Sequence, residues 1–91
     1  MSERVVVHQR VHERHPEIAD EDVIAAWNNC LCSACRKSSA FEDYVAIGVD
    51  RKGRLLELIA VLRPGGAWLV YHAFTPPTER VLREIGFHDL R

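Results

Sequence analysis

The chain has 91 residues, 47% of them hydrophobic and 27% charged, with a formal net charge of −1. That length makes one domain with a modest core, burying about 60–65% of its unfolded surface. The composition argues against disorder, no apolar run reaches the ~20 residues of a membrane helix, and the near-neutral charge argues against tight nonspecific binding to long nucleic acid.

At the N-terminus, Val5 to Val7 reads as a short strand and is too brief for the apolar region of a signal peptide, so a cytoplasmic location is expected. Gln9 to His15 reads as one or two helical turns, stopped by Pro16, which disfavours helix in the residue before it. The clearest helix follows. Either Asp20 caps it, or Ala19 does, with Ile18 and Val23 as a hydrophobic staple. Carboxylates crowd its first turn, where the helix dipole favours them, and Val23, Ile24, Trp27 and Leu31 recur at helical spacing.

Cys30 to Ala40 is small and polar and reads as irregular, with a short strand as the alternative. Tyr44 to Val49 alternates as a strand, Asp50 to Gly53 is a turn, and the apolar run Leu55 to Leu62 is a central strand. Arg63-Pro64-Gly65-Gly66 turns the chain into a strand from Ala67 to Thr75. Thr75-Pro76-Pro77 then opens a last helix, with Val81, Leu82 and Ile85 as its apolar stripe and Gly86 at its end. The class is α+β, in the order β-α-α-β-β-β-α: a small antiparallel sheet of three to four strands, two N-terminal helical segments and a C-terminal helix.

The last hairpin carries the sharpest chemical inference. A two-residue loop at Pro64-Gly65 and a four-residue loop from Arg63 to Gly66 give the same register. Both set Glu57 opposite His72, with Val61, Ile59 and Trp68 on the same open face. A loop from Pro64 to Ala67 would shift the register and separate the pair. A carboxylate can fix the tautomer of an imidazole that exchanges protons near neutral pH. Cleavage of RNA by its own 2′-hydroxyl needs such proton carriers and a cation on the phosphate. Arg51 and Arg54 stand at the end of the hairpin as candidate cations, and Trp68 or Phe74 as candidate stacking surfaces for bases. The plainer reading is a half-exposed cross-strand charge pair.

His8, His12 and His15 share a face if their stretch is helical, as metal ligands or polar surface residues. Arg10 and Arg14 lie four apart, either to bind phosphate or to solvate a helix face. Cys30, Cys32 and Cys35 are the three cysteines, an odd number expected to be reduced in the cytoplasm. They read as weak candidates for a metal site or as small hydrophobes, and no cofactor is expected.

Two motifs resemble a known family. His8-Gln9-Arg10-Val11-His12-Glu13-Arg14 with Ile18 and Asp20-Glu21-Asp22-Val23 is similar to the opening of small bacterial proteins related to BrnT and other RelE/ParE-superfamily toxins. Tyr44 to Asp50, with Gly53-Arg54-Leu55-Leu56-Glu57, resembles that group's "Y-x-x-x-G-x-D…G-R-x-L" strands. The resemblance implies a RelE-like fold, an RNA-cleaving and translation-blocking activity at RNA or on the ribosome, and a cognate antitoxin. It matches His8 and Arg14 to the opening histidine and arginine, and Arg54 to the arginine after the turn glycine. The low net charge and the cysteine cluster depart from the family pattern. The resulting site expectation is His72 as acid or base and Glu57 as its orienter. His8 or His12 is the second proton carrier, and Arg54, Arg14, Arg10 and Arg51 meet phosphate beside Trp68. The alternative is a non-catalytic or homodimerising module that binds through an apolar patch of Ile59, Val61 and Trp68.

Overall fold

The structure, a computed structural model, describes residues 4–36 and 43–86. In chain order its elements are β1 (Val5–Val7), α1 (Arg10–Arg14), α2 (Asp20–Asn28), β2 (Cys30–Arg36), β3 (Asp43–Val49), β4 (Leu55–Leu62), β5 (Trp68–Phe74) and α3 (Glu79–Glu84). They form an α+β fold whose five strands lie in the order β1-β5-β4-β3-β2. None of the described helices is long and apolar enough to cross a membrane.

The sheet differs from the expected three to four antiparallel strands in two ways. It is mixed, because β1 runs parallel to β5, pairing Val5 with Trp68 and Val7 with Val70. It also gains β2, in the stretch read as irregular. An edge strand makes only one ladder, so small and polar residues such as Cys30, Ser33 and Cys35 are tolerated there, largely exposed.

Helices cover both faces of the sheet. On one side Val11 of α1, the connecting Ile18, and Val23 and Ala26 of α2 pack on Ala46, Leu56, Leu58, Ala60, Val70 and Ala73. On the other, Val81 of α3 packs with Val45, Ile47 and Ile59, and Leu82 and Ile85 join it. Burial on two faces explains why β4 is a continuous apolar run rather than an alternating one. It also divides the apolar patch expected for a binding module. Ile59 lies in the α3 cluster, whereas Trp68 packs on the opposite face.

At the start of α2, Ala19 takes the cap position and the Asp22 carboxylate accepts the Ala19 N–H at 3.3 Å. The last helix starts later than expected, capped by Thr78 rather than Thr75, with Thr78 Oγ1 accepting the Val81 N–H at 3.3 Å. A cap at Thr75 would need amide donors from the next residues. Pro76 and Pro77 have none, and the Thr78 N–H is given to Glu57 at 2.8 Å. Thr75 Oγ1 instead donates to the Leu55 carbonyl at 2.7 Å, tying the chain to β4.

The closest approach of α2 to the sheet is at Gly48. A Cβ there would lie 1.8 Å from the Ala26 carbonyl oxygen, a backbone atom that cannot swing aside. Gly48→Ala is therefore expected to destabilise the fold by about 3 kcal/mol, the upper end of ordinary overpacking, read as a fall in the urea midpoint.

Candidate functional site

The β4–β5 hairpin builds the site through two one-residue offsets. The turn pairs Leu62 with Trp68 rather than Ala67, so its loop runs from Arg63 to Ala67. The Arg63 N–H bonds to the Ala67 carbonyl at 2.7 Å, and Gly65 and Gly66 take the left-handed φ values of 93° and 88°. That single step rotates Trp68 onto the α2 face. Further along, a bulge leaves Tyr71 without a partner, between the Ala60–Val70 and Ile59–His72 pairs. The second step restores the parity, and His72 returns to the face of Glu57. Glu57 itself pairs with Phe74, so its contact with His72 is diagonal rather than directly across. The expected register is therefore corrected, and the shifted one does not part the two side chains.

His72 Nε2 lies 2.7 Å from Glu57 Oε2. The other carboxylate oxygen accepts the Thr78 N–H at 2.8 Å and its hydroxyl at 2.9 Å. Glu57 is 3% exposed, so it cannot rotate away into water. Burial pushes its carboxyl up, but the hydrogen bonds from His72 and Thr78 outweigh burial and hold it below the usual glutamate range. An ionised Glu57 accepts only, so Nε2 of His72 carries the proton and Nδ1 is left without a partner among the described residues.

His72 lines a cavity of about 180 Å³ with Arg10, Val11, Arg14, His15, Arg36, Ile59, Tyr71 and Ala73. α1 brings Arg10 and Arg14 there because it runs beside the part of β5 that β1 leaves uncovered. Among the described residues neither guanidinium has a carboxylate partner. Arg36 is committed differently: it is bidentate to Glu84 of α3, at 2.7 and 3.0 Å. Tyr71 also lines the cavity, and its hydroxyl donates to Asp43 at 2.9 Å. Burial, then that carboxylate, push the phenol up to about 12, so it is a donor at neutral pH.

Other expected site residues lie elsewhere. Arg54 pairs with Asp50 at 2.7 Å and reaches Asp22 at 3.4 Å, while Arg51 pairs with Asp22 at 3.0 Å. Both arginines neutralise buried carboxylates and tie the β3–β4 turn to α2, a structural task in place of the expected phosphate contact. Trp68 packs against Trp27 and Tyr44, with ring centroids 5.4 and 4.9 Å away, and is not beside His72. His12 bonds to the Ile18 carbonyl and to Asp20, closing the α1–α2 connection. His8 Nδ1 accepts the Arg10 N–H at 3.0 Å, at the start of α1.

The cysteines do not converge. Cys30 lines a groove with Trp27 and Trp68, whereas Cys32 joins the α3-side cluster. Burial pushes both thiols up, away from the thiolate that binds metal. Among the described residues, no group of three His, Cys, Asp or Glu side chains is placed to hold a metal ion.

The cavity holds three polar residues that the sequence did not nominate for it. His15 was visible only as the last of three surface histidines, before a helix-breaking proline. Arg36 lay in a stretch without recognisable pattern. Tyr71 was expected on the face of Leu69 and Ala73 that packs on the helices, and the one-residue offset at the turn places it on the face of Val81 instead. Against protein-family models, curated proteins and solved structures alike, the chain has no match.

Proposed function

We propose that this chain is an endoribonuclease of the RelE-like kind, the toxin component of a type II toxin–antitoxin pair, which blocks translation by cutting RNA. The observation that carries the reading is the cavity itself. It joins Arg10 and Arg14, whose guanidiniums have no carboxylate partner among the described residues, to an imidazole whose tautomer is fixed by a buried glutamate. Such cations suit a phosphodiester, and such an imidazole suits proton removal from a neighbouring hydroxyl. At about 180 Å³ the cavity is smaller than the ~300–1,000 Å³ of sites that enclose a small molecule, which favours one phosphate group of a longer substrate. The family resemblance adds the cognate antitoxin, and the ribosome as a setting for the cut.

The test is incubation of purified protein with short RNA and, separately, with ribosomes carrying message. Cleavage with 2′,3′-cyclic phosphate and 5′-hydroxyl ends is expected. Arg10→Ala with Arg14→Ala should weaken it by at least tenfold, given about 1.5–3 kcal/mol for a hydrogen bond to a charged group. Intact RNA in both settings, with correctly folded protein, would end the ribonuclease reading.

A further inference from the structure

We infer that His15 is the second proton carrier of this site, the acid that protonates the leaving 5′-oxygen while His72 accepts the proton of the attacking 2′-hydroxyl. This rests on the cleavage reading above and adds a catalytic residue to it. Of the three histidines near α1, two have their ring nitrogens engaged in holding the chain. His12 uses both, one on Ile18 and one on Asp20, and His8 uses Nδ1 as acceptor for Arg10. His15 alone of the three lines the cavity with His72.

The ring of His15 is held without spending its nitrogens. It stands edge-on to Phe74, with centroids 5.1 Å apart at 63°. Its backbone N–H bonds to the Val11 carbonyl at 2.8 Å, and its carbonyl accepts the Ile18 N–H at 2.9 Å. Neither ring nitrogen has a hydrogen bond among the described residues. The nearest carboxylate, Glu17, is 3.7 Å from Nδ1, an ion pair that exists only when the ring carries its proton. Phe74 and His72 stand two residues apart on one face of β5, roughly 7 Å along the strand. Both imidazoles line the same cavity of about 180 Å³, the size of a single phosphate group rather than a whole small molecule.

The two rings differ in the way the reaction requires. Glu57 keeps the proton on Nε2 of His72 and leaves a lone pair on Nδ1, the form of a base. His15 has no such tie: the Glu17 carboxylate stands 3.7 Å from its Nδ1, and its nitrogens are left for a substrate oxygen. In the step, Nδ1 of His72 takes the 2′-hydroxyl proton, the 2′-oxygen bonds to phosphorus, and the bond from phosphorus to the 5′-oxygen breaks. That oxygen takes the proton of His15. The products are a 2′,3′-cyclic phosphate and a 5′-hydroxyl, and proton exchange with water resets both rings.

The test compares an oligonucleotide bearing one ribose at the cut with the same molecule carrying sulfur in place of the leaving 5′-oxygen. A thiolate leaves without being protonated. His15→Ala and His15→Phe, the latter retaining a ring against Phe74, should slow the oxygen substrate by about 10²–10⁴-fold. Both should cleave the sulfur substrate at close to the wild-type rate, whereas His72→Ala should be slow on both. Wild-type rates on the oxygen substrate, or equal losses on the two substrates, would overturn the acid role and leave the ribonuclease reading standing. Failure of the wild-type protein on both substrates would remove the two together.

Discussion

Glu57→Gln is expected to lower the rate of RNA cleavage by on the order of 10³–10⁴-fold, although it changes one atom and keeps the shape of the side chain. The amide oxygen can still accept from Thr78, as Glu57 Oε1 does at 2.8 and 2.9 Å. That leaves the amide nitrogen facing His72 Nε2, which must then accept rather than donate. The ring is forced into its other tautomer, with the proton on Nδ1, and the nitrogen required as base has no lone pair. On the proposed ribonuclease reading the loss should fall on the turnover rate under saturating RNA, because Arg10 and Arg14 would still be there to meet the phosphate. Single-turnover kinetics would measure it, and nitrogen chemical shifts of His72 would report the tautomer. A Gln variant within tenfold of wild type would show that Glu57 does not set the state of the ring.

Asp22→Ala is expected to be the costliest of the charge deletions, by about 3 kcal/mol, at the lower end of the ~3–5 kcal/mol for breaking a buried ion pair. The carboxylate is fully buried and accepts from Arg51, from Arg54 and from the Ala19 N–H. The lower end applies because the arginine side chains are 53% and 27% exposed, and Arg54 keeps Asp50. Urea denaturation should show the midpoint falling by roughly 1–3 M. No change in midpoint would mean that the network adds nothing to the fold.

The same carboxylate sets an acid limit. Burial pushes Asp22 up, but the bonds from Arg51 and Ala19 outweigh it and hold the group below the usual aspartate range. Asp50 is lowered against its own burial by the Arg54 backbone and side chain and by the Lys52 N–H. A folded pKa below the unfolded one gives stability that is complete above the unfolded value and lost as pH falls through the folded value. Stability should therefore hold near neutrality and decline below about pH 4. The gap between wild type and Asp22→Asn should close over that range, since the wild-type carboxyl is then protonated too.

The sequence made the elements legible wherever a local pattern repeats. β4 was readable to its ends because eight consecutive strand residues stand between two turn signals. α2 was readable from its acidic first turn, but its expected apolar stripe was only half right: Val23 and Trp27 pack on the core, whereas Ile24 is exposed and Leu31 lies exposed in β2. β2 was not, because an edge strand is defined by its neighbour β3 rather than by its own alternation. The pairing of Glu57 with His72 was anticipated through a register that the hairpin does not adopt. Its turn is one residue longer than assumed, and the bulge at Tyr71 adds a second step, so the two side chains meet on one face by a diagonal. Neither offset has a local mark: glycines announce a turn but not its length, and Tyr71 looks like any strand tyrosine. The roles of Arg51 and Arg54 were hidden for a related reason. A surface arginine and one that neutralises a buried aspartate from a distant helix are the same letter.

The parallel pairing of β1 with β5 joins Val5 to Trp68, positions near opposite ends of the chain. During synthesis β1 therefore waits for β5, its partner among the described strands, until β2, β3 and β4 have been made. The same is true of the cavity, whose walls come from residues 10–15, 36 and 59–73. A chain still being made carries each of these side chains in turn but no enclosure for them. The enclosure can close only once Ala73 has been added.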